Sequence, residues 1–155
     1  MMHRVRPGHV LIAVYIFLGA WTIAPPAQAA ATTVSGRVMC LNSGWPVGIW
    51  VDATTSRDGW ASHSALPASG GISAWGTSKW SYSLTAGGTY RLNVGCGGSS
   101  ASWTMTAKSG LLSGSSSKRL VCNDASPALL LLWKVLLPWK WDLSQGIAYG
   151  TCVLK

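Results

Sequence analysis

Tryptophan is the residue type best able to do chemistry in this chain. Nine of the ten tryptophans, Trp45 through Trp141, follow the first 29 residues. Flat indoles beside amide, hydroxyl and carboxylate groups match the apolar faces and hydroxyl edges of sugar rings. Trp50 and Asp52 fall on the outward face of one expected strand, and Trp45, Trp60 and Trp75 sit on adjoining turns and strands. These five are the expected ligand-binding residues. A domain of this size buries only some of its indoles, because Trp is large and seldom fully covered. Trp80, in phase with Tyr82 and Leu84, and Trp103, in phase with Met105, are the ones expected in the core.

Groups that exchange protons or hold metals are scarce. There is no Glu, the acids are Asp52, Asp58, Asp124 and Asp142, and His63 is the one histidine beyond residue 29. A Ser/His/Asp set would have to use His63, yet no G-x-S-x-G elbow occurs. Asp52 and Asp58 could face each other across a hairpin, as glycoside hydrolysis requires of two carboxyls. Asp58 precedes Gly59, however, and an aspartate beside a turn glycine serves the turn. An enzyme using Asp52 and His63 is therefore the weaker reading, and no catalytic residue, metal or cofactor is assigned.

The elements that must position the tryptophans begin after an export signal. Residues 1–8 carry His3, Arg4 and Arg6 with no acid, Val10 to Ala20 is apolar, and Ala27-Gln28-Ala29 is a small-x-small site. This is the pattern of a signal peptide spanning 1–29, so the protein is expected to be secreted, extracellular or at the cell surface. The apolar run falls short of the ~20 residues that span a bilayer. Residues 30–155 suit a single domain with a core of its own. They hold ten Lys and Arg against four Asp, a net charge of +6.

Cys40, Cys96, Cys122 and Cys152 all lie in that domain. In an exported chain an even number of cysteines implies disulfides, and no close Cys-x-x-Cys spacing suggests zinc. Cys40 shares a strand face with Val34 and Val38, and Cys96 with Leu92 and Val94, so both sulfurs point inward. This phase predicts Cys40 with Cys96, leaving Cys122 with Cys152.

Alternation predicts strands over Thr33–Leu41, Gly48–Ala53, a short WASHS segment, Trp80–Leu84, Thr89–Cys96, Ser102–Ala107 and Arg119–Cys122. Asn42-Ser43-Gly44 and Arg57-Asp58-Gly59 are turn signals, and 67–76 reads as a loop. The Gly87-Gly88 pair within Tyr82–Gly98 predicts a β-hairpin that carries Cys96. Short strands without a long helical period predict an all-β, antiparallel β-sandwich. The segments VSGRV, PVGIWVDA and YSLTAGGTYRLNV resemble the carboxypeptidase-regulatory-like (transthyretin-like) β-sandwich family over about Val34 to Asp124. That resemblance implies an Ig-like sandwich architecture and no particular activity. With its cysteines and tryptophans the chain also resembles small Trp- and Cys-containing modules of exported actinobacterial proteins.

The segment Ala128–Trp141, ALLLLWKVLLPWKW, has a different composition, with seven Leu or Val, three Trp, two Lys and no acid. Leu129, Leu132, Trp133 and Leu136 would share a helical stripe, and Pro138 would end the helix at about Leu137. The segment is expected to cap an open end of the sandwich, inside the Cys122–Cys152 loop. In the competing reading Trp133, Trp139 and Trp141 contact a membrane surface. The positive charges are scattered, with Lys118-Arg119 the one adjacent pair beyond residue 29, which argues against nucleic acid. Taken together, these residues point to a secreted, non-catalytic module that binds carbohydrate, an extracellular polysaccharide or peptidoglycan. The alternative is a structural or membrane-associated envelope protein.

Overall fold

A computed structural model describes residues 30–67 and 76–155. The expected signal peptide and Trp75 lie outside the described residues. The nine described strands are β1 (Thr32–Cys40), β2 (Gly48–Ala53), β3 (Gly59–Trp60), β4 (Ser62–Ala65), β5 (Thr77–Leu84), β6 (Tyr90–Ser99), β7 (Ser102–Ser109), β8 (Lys118–Cys122) and β9 (Thr151–Leu154). Two helices, α1 (Pro127–Leu136) and α2 (Pro138–Ser144), precede β9.

The chain is mostly β, as expected, but its strands form one continuous sheet rather than two facing antiparallel sheets. The order is β3-β2-β6-β7-β9-β8-β1-β5-β4. Its two ends, β3 and β4, are consecutive in the chain and meet at Ala61, whose N–H donates to the Ile49 carbonyl. The sheet therefore curls into a nearly closed barrel. Pairing is not wholly antiparallel either, since β1–β8 and β7–β9 run parallel. Parallel neighbours need a long connection between them. The 110–117 connection and the two helices supply the length that brings β8 and β9 into the gap between β7 and β1.

The expected hairpin at Tyr82–Gly98 is absent. β5 pairs with β1 and β4, whereas β6 pairs with β2 and β7. The 85–89 connection instead arches over the barrel end. There the Thr55 and Ser56 hydroxyls donate to the Gly87 carbonyl, and the Ala86 N–H donates to Ser56 Oγ. Alternation specified the inward faces correctly except at Trp103, but it carries no information about which strand lies alongside.

Inside the barrel, Val34, Val38, Ile49, Val51, Trp80, Leu84, Tyr90, Leu92, Val94 and Leu120 pack with all four cysteines. Cys40–Cys96 and Cys122–Cys152 are the disulfides, as the strand phase predicted. The first crosses the interior between β1 and β6, and the second joins register neighbours on β8 and β9. Two disulfides fit an oxidising compartment. Among the described residues, Ser78 Oγ, Trp80 Nε1 and the Tyr90 hydroxyl are buried without a hydrogen-bond partner, and burial pushes the Tyr90 phenol above its ordinary pKa.

A second core lies on the outside of the barrel. Met39, Val121 and Val153 form one row across β1, β8 and β9, and Trp133, Leu129 and Leu130 of α1 cover it. The 128–141 segment therefore packs against the barrel wall and does not cap an open end. α1 starts with Ser126 Oγ accepting the Leu129 N–H and Pro127 in its first turn, and it stops before Pro138, as expected.

Candidate aromatic binding face

The outer face of β3-β2-β6-β7 carries the aromatic site. Register sets Trp60, Trp50, Asn93 and Lys108 side by side across the four strands. Asp52 lies opposite Arg91 in a neighbouring row. Trp60, 59% exposed, stands edge-on between two other indoles. Its ring centroid lies 5.2 Å from Trp50 at an interplanar angle of 84°, and 5.6 Å from Trp103 at 82°. Such edge-to-face pairs are a favourable arrangement for aromatic quadrupoles.

Trp103 belongs to this outer face and is half-buried, contrary to the expectation that it enters the core. Its register partner Gly98 and the preceding Gly97 carry φ of +85° and +70°. Its indole then lies across two glycines. A Cβ on Gly95 would come within 2.4 Å of the ring, and one on Gly48 within 2.7 Å. A glycine inside a strand signals close approach by another group, so Gly48 and Gly95 are the signal that could have marked this face, although only strand pairing ties them to Trp103.

The remaining expected site residues divide clearly. Trp50 and Trp60 are in the site, with Asp52 exposed in the next row beside Arg91. Trp45, 41% exposed, stands in the turn after β1, and the ring contacts among the described residues do not include it. Trp80 is buried, as expected, edge-on to Tyr90 at 6.0 Å. Asn93 and Lys108 were missed because nothing in their spacing marks them. Their place beside Trp50 depends on strand pairing.

The acids are mostly structural. Asp58 Oδ1 accepts the Ala53 N–H at 2.8 Å and closes the β2–β3 turn. Asp124 accepts the backbone N–H groups of Asn42 at 2.6 Å and Ser43 at 2.8 Å, together with the Ser43 hydroxyl, and so holds the turn after β1. Its carboxylate lies close to the sulfurs of Cys40 and Cys96, but those are joined in a disulfide and offer no thiolate to a metal. His63 sits exposed on β4 opposite Trp80, in a shallow groove of about 370 Å³ with Ser62, Ser64 and Lys79. No hydrogen bond joins it to Asp52 among the described residues.

On the helices, Trp133 is buried and Trp141 is half-buried against the second core, so their rings face the barrel. The Lys140 ammonium lies 4.7 Å from the centroid of Trp133 and 5.7 Å from that of half-buried Trp139, and the Lys134 ammonium lies 5.7 Å from that of Trp141. Burial lowers the pKa of Lys140, while the nearby charge of Asp124 works against that shift. No family model matches the chain, and neither does any curated protein or solved structure.

Proposed function

We propose that this is a non-catalytic extracellular module that binds a glycan chain, from a polysaccharide or peptidoglycan, on the Trp50–Trp60–Trp103 face. The observation that carries the reading is the exposed Trp60 indole held edge-on between two others, with Asn93 and Lys108 in the same row. Trp60 stands nearly perpendicular to each of the other two rings, so the three make a stepped corner and not a plane. A stepped corner suits one twisted chain or a chain end, with a sugar face on one indole and its hydroxyl edge toward the amide and ammonium. A flat crystalline polymer face would meet only one ring at a time. Gly48 and Gly95 seat Trp103 and Asp58 closes the β2–β3 turn, structural roles that support recognition more than proton transfer as the task of this face.

Retention on insoluble polysaccharides and peptidoglycan, followed by fluorescence titration with soluble fragments, tests the reading. Trp60→Ala is expected to weaken binding about tenfold or more, as loss of a central aromatic anchor does. Retention of the native protein on none of these polymers, or unchanged binding by the variant, would refute it.

A further inference from the structure

Helix α1 is apolar on both faces. Leu129, Leu130 and Trp133 pack against the barrel, while Leu131, Leu132, Val135 and Leu136 form a contiguous stripe on the opposite face, continued by Leu137. Leu131 is 65% exposed and Val135 78%, and Lys134 flanks the stripe. An apolar patch of this kind on a protein surface marks a contact.

The strands beneath carry a second feature. Lys79 of β5, Arg37 of β1 and Arg119 of β8 are register neighbours on the outer face, all exposed, and Lys155 follows next to Arg119. This cationic row lies two residues along the strands from the Met39–Val121–Val153 row that α1 covers. β1, β4, β5, β8 and β9 contain no acid. Like charges directly opposite on neighbouring strands destabilise a sheet, so the row favours an anion over its own company. Ser35 and Ser81, themselves register partners, add hydroxyls in the adjoining row.

We propose that α1 and this cationic row together form a docking surface for an anionic lipid bilayer. The helix lies in the plane of the interface with its leucine stripe among the acyl chains, and Lys79, Arg37, Arg119 and Lys134 meet the phosphate headgroups. At ten residues α1 is about 15 Å long, half of what a bilayer core requires, so it lies flat. No described helix is long and apolar enough to cross a membrane. Charge selects a lipid surface over a second copy of this chain, because pairing two such stripes about a two-fold axis would bring the cationic rows together. This surface is on β5-β1-β8-β9, and the tryptophan corner is on β3-β2-β6-β7 in the other half of the barrel.

Flotation of the whole chain with lipid vesicles tests this. The protein is expected to float with phosphatidylcholine–phosphatidylglycerol vesicles, to float poorly with phosphatidylcholine alone, and to detach as salt is raised. Leu132→Ser with Val135→Ser, and separately Arg37→Gln with Arg119→Gln, should each lower partitioning about tenfold or more. Both pairs are exposed, and circular dichroism checks that they fold. Trp60→Ala should float like the native protein. No flotation of the native protein, equal flotation with neutral vesicles, or native behaviour of either double variant would overturn the proposal. So would a dimer that light scattering finds abolished by Val135→Ser in a protein that ignores vesicles. A soluble anionic polymer bound equally well by the stripe variant and the native chain, without flotation, would assign the row to that polymer instead.

Discussion

At the residue scale, the position of Trp103 depends on what its neighbours lack. An indole can lie across β2 and β6 only where neither strand raises a Cβ, and Gly48 and Gly95 meet that condition. Gly95→Ala would force a methyl into the ring, so either the strand shifts or Trp103 leaves its seat beside Trp60. We expect a loss of about 1–3 kcal/mol in chemical denaturation, typical of overpacking. The near-UV circular dichroism of the coupled indoles should fall with it. A variant with native stability and an unchanged aromatic signal would mean that the ring is not held there. Neither the alternation of β7 nor the composition of the chain contained this placement, since the seat for the ring is made by Gly48 and Gly95 on β2 and β6, which strand pairing brings alongside.

At the scale of elements, the turn after β1 rests on a carboxylate from far along the chain. Asp124 follows β8 and accepts two backbone N–H groups of the 42–43 turn, which binds the β8 end to the β1 end where the parallel pair finishes. Asp124→Ala leaves those donors unpaired in a half-buried site. Its expected effect is a loss of about 2–4 kcal/mol, by the rule for hydrogen bonds to charged acceptors, whereas Asp124→Asn should lose less. Urea midpoints for the pair of variants check this, and equal midpoints for Ala and native protein would deny the carboxylate its role. Sequence reasoning recognised the Asn42-Ser43-Gly44 turn and the end of α1 at Pro138, because both are local signals. It did not find the strand at Thr151–Leu154, a four-residue segment with no alternation of its own beyond Cys152.

At the scale of the molecule, the barrel is held by two covalent links through its interior. Cys40 and Cys96 are 56 residues apart, and Cys122 and Cys152 are 30 apart. In the chain-entropy account each closure contributes about 4 kcal/mol. Replacing Cys40 and Cys96 together by Ala should thus remove a large share of a stability that for a domain is only about 5–15 kcal/mol. The thermal midpoint is expected to fall steeply, and a drop of only a degree or two would contradict the cross-barrel link. With one half of the barrel carrying the tryptophan corner and the other the cationic, leucine-bearing surface, the two proposed contacts can be made at once. The arrangement suits a module that sits on a lipid surface while holding a polymer.

The amino-acid sequence by itself determined all but the last strand segment, the inward faces except at Trp103, the disulfide pairing and the excess of tryptophan over catalytic groups. All of these are local or follow from a period of two. Tertiary structure alone decided which strands are neighbours, and with that the nearly closed barrel in place of a sandwich and the arch in place of a hairpin. It also gathered Trp50, Trp60, Trp103, Asn93 and Lys108 on one face and aligned Lys79, Arg37 and Arg119 on another. The physical reason is that alternation reports burial, whereas adjacency is set by backbone hydrogen bonds between distant segments that any strand of suitable length can make.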